Sequence, residues 1–133
     1  MTGNGVAIAR VATVQNINAW TKGGVMIRET LDPGSAHALM LASSTKGLAF
    51  QRRTAAGGVS TSTAGAIVGA PYWVKLERVG DRVDAFASPD GAAWTLVGTD
   101  TIPMASTVWV GLAVSSHVSS TAAQITFDNV SMP

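Results

Sequence analysis

The stretch Tyr72-Trp73-Val74-Lys75-Leu76-Glu77 decides the fold. Tyr72, Val74 and Leu76 share one parity, and Trp73, Lys75 and Glu77 share the other. Successive side chains of a strand point to opposite faces, so this alternation describes a strand with one face in a core and one in solvent. Val79-Gly80-Asp81 then joins it to a second alternating run, residues 82–88, as a tight hairpin. Ser88-Pro89-Asp90-Gly91 closes that run with a β-turn signal, Pro setting φ early and Gly tolerating positive φ late.

The same grammar extends in both directions. Strand character recurs at 6–14, 24–29, 37–42, 48–53, 59–63, 94–97, 107–115 and 122–131, separated by Gly, Pro, Asn, Asp and Ser. In 48–53, Leu48 and Phe50 share a face against Ala49 and Gln51. Val108-Trp109-Val110-Gly111-Leu112-Ala113-Val114 is apolar at both parities, which predicts a central strand covered on both sides or a strand whose second face meets another chain. Residues 6–14 read the same way, less strongly. No stretch carries a sustained helical period. The expectation is a single all-β domain over residues 1–133, an antiparallel sandwich of two sheets.

Composition narrows the function. The chain has 133 residues, 47% of them hydrophobic and 13% charged, a profile of a folded domain with a real core. A net charge of +1 argues against a nucleic-acid or anionic-membrane binder. Zero cysteines exclude a disulfide scaffold, a Cys-ligated zinc and a thiol nucleophile. No apolar run approaches the roughly 20 residues of a membrane helix. Met1-Thr2-Gly3-Asn4-Gly5 lacks a basic stretch followed by an apolar core, so no signal peptide is expected in this chain.

Few residues offer reactive chemistry. The two histidines, His37 and His117, together with Glu29 or Asp32, would make a zinc-type site if the strand ends carrying them converged; otherwise each is a strand-end histidine bonded to backbone. No Gly-x-Ser-x-Gly elbow occurs, and Glu29 and Glu77 are the only glutamates. The aspartates cluster at turns, where they serve either as calcium ligands or as caps of the turn backbone. Four tryptophans carry more weight. An exposed indole beside polar groups can stack on the apolar face of a sugar while its neighbours bond the hydroxyls. Trp20 and Trp73 are the candidates for this role, whereas Trp94 and Trp109 are expected in the core. Arg52 and Arg53 are adjacent on a strand, so one faces a binding surface and the other is free to pair with an acid.

Several segments together carry a resemblance: residues 24–29 and 31–38, Gly47-Leu48-Ala49-Phe50-Gln51-Arg52-Arg53, Pro71-Tyr72-Trp73-Val74-Lys75-Leu76, Ser88-Pro89-Asp90-Gly91, Val110-Gly111-Leu112-Ala113-Val114 and Phe127-Asp128-Asn129-Val130. In order and spacing the chain resembles the concanavalin A-like, laminin-G-like jelly-roll accessory domains ("regulation of enolase" type) of secreted bacterial carbohydrate-active proteins. The resemblance implies a jelly roll that lacks the family's first strands, an extracellular setting, no catalytic residue and a polysaccharide or oligosaccharide partner. Missing strands would expose sheet edges, so a homodimer is expected to cover them.

The leading expectation is a non-catalytic carbohydrate-binding module using Trp20, Trp73 and Arg52, with His37 at the rim. The alternative is a small ester hydrolase whose site, His37, His117, Glu29 and Asp32, forms at a homodimer interface and holds zinc. Calcium is the other metal the composition allows.

Overall fold

The computed structural model describes all of Met1–Pro133. It contains no helix. Ten strands run in chain order: β1 (Gly5–Val14), β2 (Lys22–Arg28), β3 (His37–Ser43), β4 (Leu48–Arg53), β5 (Thr61–Ala64), β6 (Tyr72–Val79), β7 (Arg82–Ser88), β8 (Thr95–Thr101), β9 (Trp109–Ser115) and β10 (Ile125–Ser131). Every segment read as a strand is one. They form two five-stranded antiparallel sheets, the first ordered β10-β1-β6-β7-β8 and the second β5-β4-β3-β2-β9. The protein is an all-β sandwich.

The decisive stretch is β6, placed between β1 and β7. Its core parity is as read: Val74 and Leu76 are fully buried. Gly80 and Asp81 form the two-residue loop to β7. Gly80 takes φ of 61° at the first central position, the type II′ geometry that matches the twist of the flanking strands. Between the sheets lie Ala7, Ala9 and Val11 of β1, Val25 and Ile27 of β2, Met40 of β3 and Phe50 of β4, all without solvent contact.

The alternation of β6 runs one step beyond the stretch that defines it. Arg78 shares the parity of Val74 and Leu76 and turns inward, only 3% exposed. No carboxylate meets it. Its guanidinium donates instead to the carbonyls of Gly80 (3.0 Å), Met104 (3.1 Å), Ala105 (3.0 Å) and Ser106 (3.4 Å), tying the β8–β9 connection to the end of the β6–β7 hairpin.

Two expectations are corrected. The strand covered on both faces is β3, not β9: six of its seven residues are buried. β9 is an edge strand paired only with β2, which leaves Trp109 57%, Leu112 44% and Val114 50% exposed. Trp109 is therefore outside the core. So is Trp94, which lies on the outer face of the first sheet with the Lys75 ammonium 4.4 Å from its ring centre.

Candidate functional site

The second sheet builds the more unusual surface. Val25, Ile27, Ala38, Met40 and Phe50 point into the sandwich, so the alternate residues of β2, β3 and β4 point out. The cross-strand register sets these outward residues in rows. One row runs Trp109–Arg28–His37–Arg53, across β9, β2, β3 and β4. The next runs Gly111–Met26–Leu39–Gln51, and the next Ala113–Gly24–Leu41–Ala49. The result is an apolar floor with a charged rim.

Trp20 covers that floor. Leu39, Leu41 and Ala49 form a buried cluster of their own, separate from the main core, and Trp20, Met26 and Ala113 pack against it. The loop carrying Trp20 is held on all sides. The Asn18 side-chain oxygen accepts from the Trp20 amide (2.9 Å), and the buried Thr21 hydroxyl donates to the Ser116 carbonyl (2.8 Å). The Ser44 hydroxyl donates to the Ala19 carbonyl (3.0 Å). The indole is thus pre-positioned, half-buried, with the Lys22 ammonium 5.6 Å from its ring centre. Burial pulls the Lys22 pKa below its ordinary value.

His37 sits in the charged row between Arg28 and Arg53. Its Nδ1 lies 3.3 Å from the Ser35 carbonyl. Burial holds its pKa below the usual histidine value; the Ser35 bond opposes that shift, and the positive charges of Arg28 and Arg53 add to it. The imidazole is therefore neutral near pH 7. With Nδ1–H donating to Ser35, Nε2 remains an acceptor. The two arginines are fixed by backbone carbonyls, Arg28 by Thr30 (2.9 Å) and Asp32 (2.6 Å), Arg53 by Gly58 (3.0 Å) and Pro33 (2.9 Å). Below the row, Arg28, Met26, Leu31 and Trp109 edge a shallow depression of about 160 Å³.

The first sheet presents a different outer face. Trp73, Lys75 and Glu77 point outward from β6, as their parity requires. Lys75 lies 4.4 Å from the ring centres of both Phe86 and Trp94. Gly91 has φ of 77° and backs onto Trp73, where a Cβ would stand 2.8 Å from the ring. Only glycine permits both the conformation and the approach.

The structure thus separates the residues that the sequence singles out. Trp20 and His37 share the outer face of the second sheet; Trp73 is on the opposite side of the sandwich, so Trp20 and Trp73 cannot grip one sugar. Arg52 and Arg53 do point to opposite faces, but with their roles exchanged. Arg52 turns inward, pairs with Asp100 at 2.9 Å and lies over the Phe50 ring, 12% exposed. Arg53 is the arginine on the outer surface.

The four residues of the metal reading are not brought together within the chain. His37 pairs opposite Arg28, whereas Ser115, two residues before His117, pairs opposite Lys22. Six residue steps along β2 separate these points, about 20 Å of strand. Glu29 is occupied in accepting the Ala105 amide (3.1 Å). No group of three or more His, Asp or Glu side chains is arranged to hold a metal ion. The turn aspartate Asp90 caps its own turn, accepting from the Ala92 and Ala93 amides and the Ser88 hydroxyl, and these bonds lower its pKa.

The fold is shared with solved structures of remote sequence. All of this chain superposes on 70% of a functionally unknown protein from Saccharomyces cerevisiae (TM-score 0.74, 17% identity). It matches, over 92% of its length, 26% of a mutant form of the GH43 protein BlXynB from Bacillus licheniformis (TM-score 0.69, 15% identity). It also matches, over 96% of its length, 73% of the carbohydrate-binding module CBM66 from Bacillus subtilis (TM-score 0.64, 19% identity). At these identities the likeness establishes a common sandwich. No family model matches the chain. No curated protein matches it in sequence.

Proposed function

We propose that the protein is a non-catalytic carbohydrate-binding module that holds a polysaccharide on the outer face of its second sheet. The observation that carries this reading is the second apolar cluster. A sandwich already has its core between the sheets; burying Leu39 and Leu41 on the outside under a clamped, half-buried tryptophan holds one aromatic ring at a fixed place on that face. Flanking hydrogen-bonding groups, Gln51, His37 and Arg53, then meet the hydroxyl edges of a ring stacked there. The fold likeness to CBM66 and to part of a GH43 protein supports the ligand class. In this reading the chain is an accessory domain of the concanavalin A-like type, carried by a secreted bacterial carbohydrate-active protein.

The test is retention on a panel of polysaccharides by affinity electrophoresis. Trp20→Leu keeps the floor covered but removes the aromatic face, and it is expected to weaken binding about tenfold, the equivalent of one stacking contact. Trp73→Ala, on the far side, is expected to change nothing. Unchanged binding by Trp20→Leu together with loss by Trp73→Ala would move the site to the first sheet.

We also propose a homodimer formed edge to edge through β9. The strand has a neighbour on one side only, and its apolar side chains are about half exposed. Pairing two β9 edges would join the two second sheets into one surface and keep both Trp109 side chains on its outer face. Light scattering at micromolar concentration is expected to give twice the chain mass, and Leu112→Lys to halve it. A wild-type monomer at that concentration would rule the dimer out.

A further inference from the structure

We propose that the second-sheet face takes an anionic polysaccharide, one that carries a carboxylate or sulfate on its sugar residues; this inference rests on the carbohydrate-binding reading above. The argument begins with charge segregation. The chain is nearly neutral, with nine cationic and eight anionic side chains, yet the two signs are distributed unevenly. Its three ion pairs involve Arg10, Arg52 and Arg82, none of them on this face. Arg28, Arg53 and Lys22 all project from it and none has a carboxylate partner.

Most of the acids are held elsewhere. Glu77, Asp84 and Asp128 belong to the first sheet. Asp100 is taken by Arg52. Glu29, next to Arg28 in sequence, turns the other way to bind the Ala105 amide. Asp32 lies in the turn that Arg28 reaches, yet it offers that arginine its carbonyl and not its carboxylate. Carbonyl acceptors fix the guanidinium groups in place without cancelling their charge, and His37 between them is neutral. The row therefore carries two guanidinium groups held by carbonyls and engaged in no ion pair, beside the Trp20 ring.

The spacing selects a polymer over a compact anion. The backbones of Arg28 and Arg53 stand two strand spacings apart, about 10 Å, but their guanidinium groups lean onto one turn and bond the carbonyls of the adjacent residues Asp32 and Pro33, whereas Lys22 lies about 20 Å along β2 from Arg28. Lys22 and the arginine pair, so far apart, cannot converge on one phosphate group. They suit charges repeated along an extended chain with a ring stacked on Trp20.

Titration calorimetry on the full chain tests this with four probes: polygalacturonate, the same polymer with its carboxylates methyl-esterified, dextran sulfate, and a neutral β-glucan. Binding to polygalacturonate or dextran sulfate is expected to be at least tenfold tighter than to the esterified and neutral polymers, and which of the two anions binds identifies the acidic group. Arg28→Gln and Arg53→Gln are each expected to weaken that binding several-fold with the thermal midpoint checked alongside, while Lys75→Gln on the opposite face is expected to leave it unchanged. Equal affinity for charged and neutral polymers would overturn the inference and leave the carbohydrate-binding reading standing. Equal losses from Lys75→Gln would also overturn it, since they would mark attraction without a site. No binding to any of the four would overturn both.

Discussion

Gly24→Ala is expected to destabilise the protein by more than about 4 kcal/mol, or to leave it unfolded at room temperature, a loss reserved for backbone or core lesions. Gly24 lies in β2 opposite Leu41 of β3 and Ala113 of β9. A Cβ at this position would overlap the Met40 carbonyl oxygen and stand 2.8 Å from the Leu41 Cα. These are backbone atoms of the neighbouring strand, so no side-chain rotation relieves the clash. Either β2 and β3 separate, breaking their ladder, or one strand slides and turns its side chains to the wrong face. Both routes expose Val25, Ile27 and Met40, which have no solvent contact in the native state. Gly111→Ala is the matched control. It lies on the same outer face, one strand away, with nothing within 4 Å of the added methyl, and it should be nearly silent. Urea unfolding of the two variants measures the contrast, and a Gly24→Ala protein within 1 kcal/mol of wild type would mean that β2 and β3 do not approach as described.

The strands were legible because their information is local. Alternation in 72–77 and 48–53, and turns at Gly80 and Pro89, specify elements without reference to anything distant. What the sequence conceals is which strand neighbours which. Residues 108–114 and 37–42 are both apolar at each parity, and nothing local distinguishes an edge strand from a central one. β9 lies at the border because β2 is its only neighbour, a fact of topology. The misplacement of Trp109 follows from that. Trp94 lies outside the core for a related reason: it precedes β8 and stacks near Lys75 of β6, so its surroundings come from a strand distant in sequence.

The candidate site was legible in part for the same reason. Trp20 and His37 stand out as residue types, but only the register between β2, β3 and β4 shows that Arg28, Arg53 and Gln51 join them. A usable signal was present in His37-Ala38-Leu39-Met40-Leu41-Ala42. Leu39 and Leu41 cannot share the core face with Met40, so something had to cover them. The adjacent parity of Arg52 and Arg53 fixed that they diverge; which one faces inward follows from Phe50, since Arg52 shares its face.

Arg78→Met is expected to lower stability by about 2–3 kcal/mol, which for a domain of this size is a thermal midpoint roughly 10 °C lower. Two effects oppose each other here. Removing a buried charge relieves its desolvation cost, and replacing buried ionic groups by apolar ones is often neutral or favourable. That holds when the partners are replaced as well. The partners of Arg78 are four backbone carbonyls, which no side-chain substitution can delete. Methionine keeps the stem and its packing but leaves those oxygens with no donor from that side chain. Water entering the polar recess beside Asn4, Gly80 and Asp81 satisfies some of them, which is why the loss stays below the sum of four charged hydrogen bonds. Arg78→Lys should fall between the two, because a single ammonium cannot reach carbonyls spread over Gly80 and the 104–106 segment. Denaturant melts of both variants decide the matter. A methionine variant as stable as wild type would mean that desolvation of the guanidinium outweighs the bonds it makes, and that the β8–β9 connection is held by the Glu29–Ala105 bond and the burial of Ile102 instead.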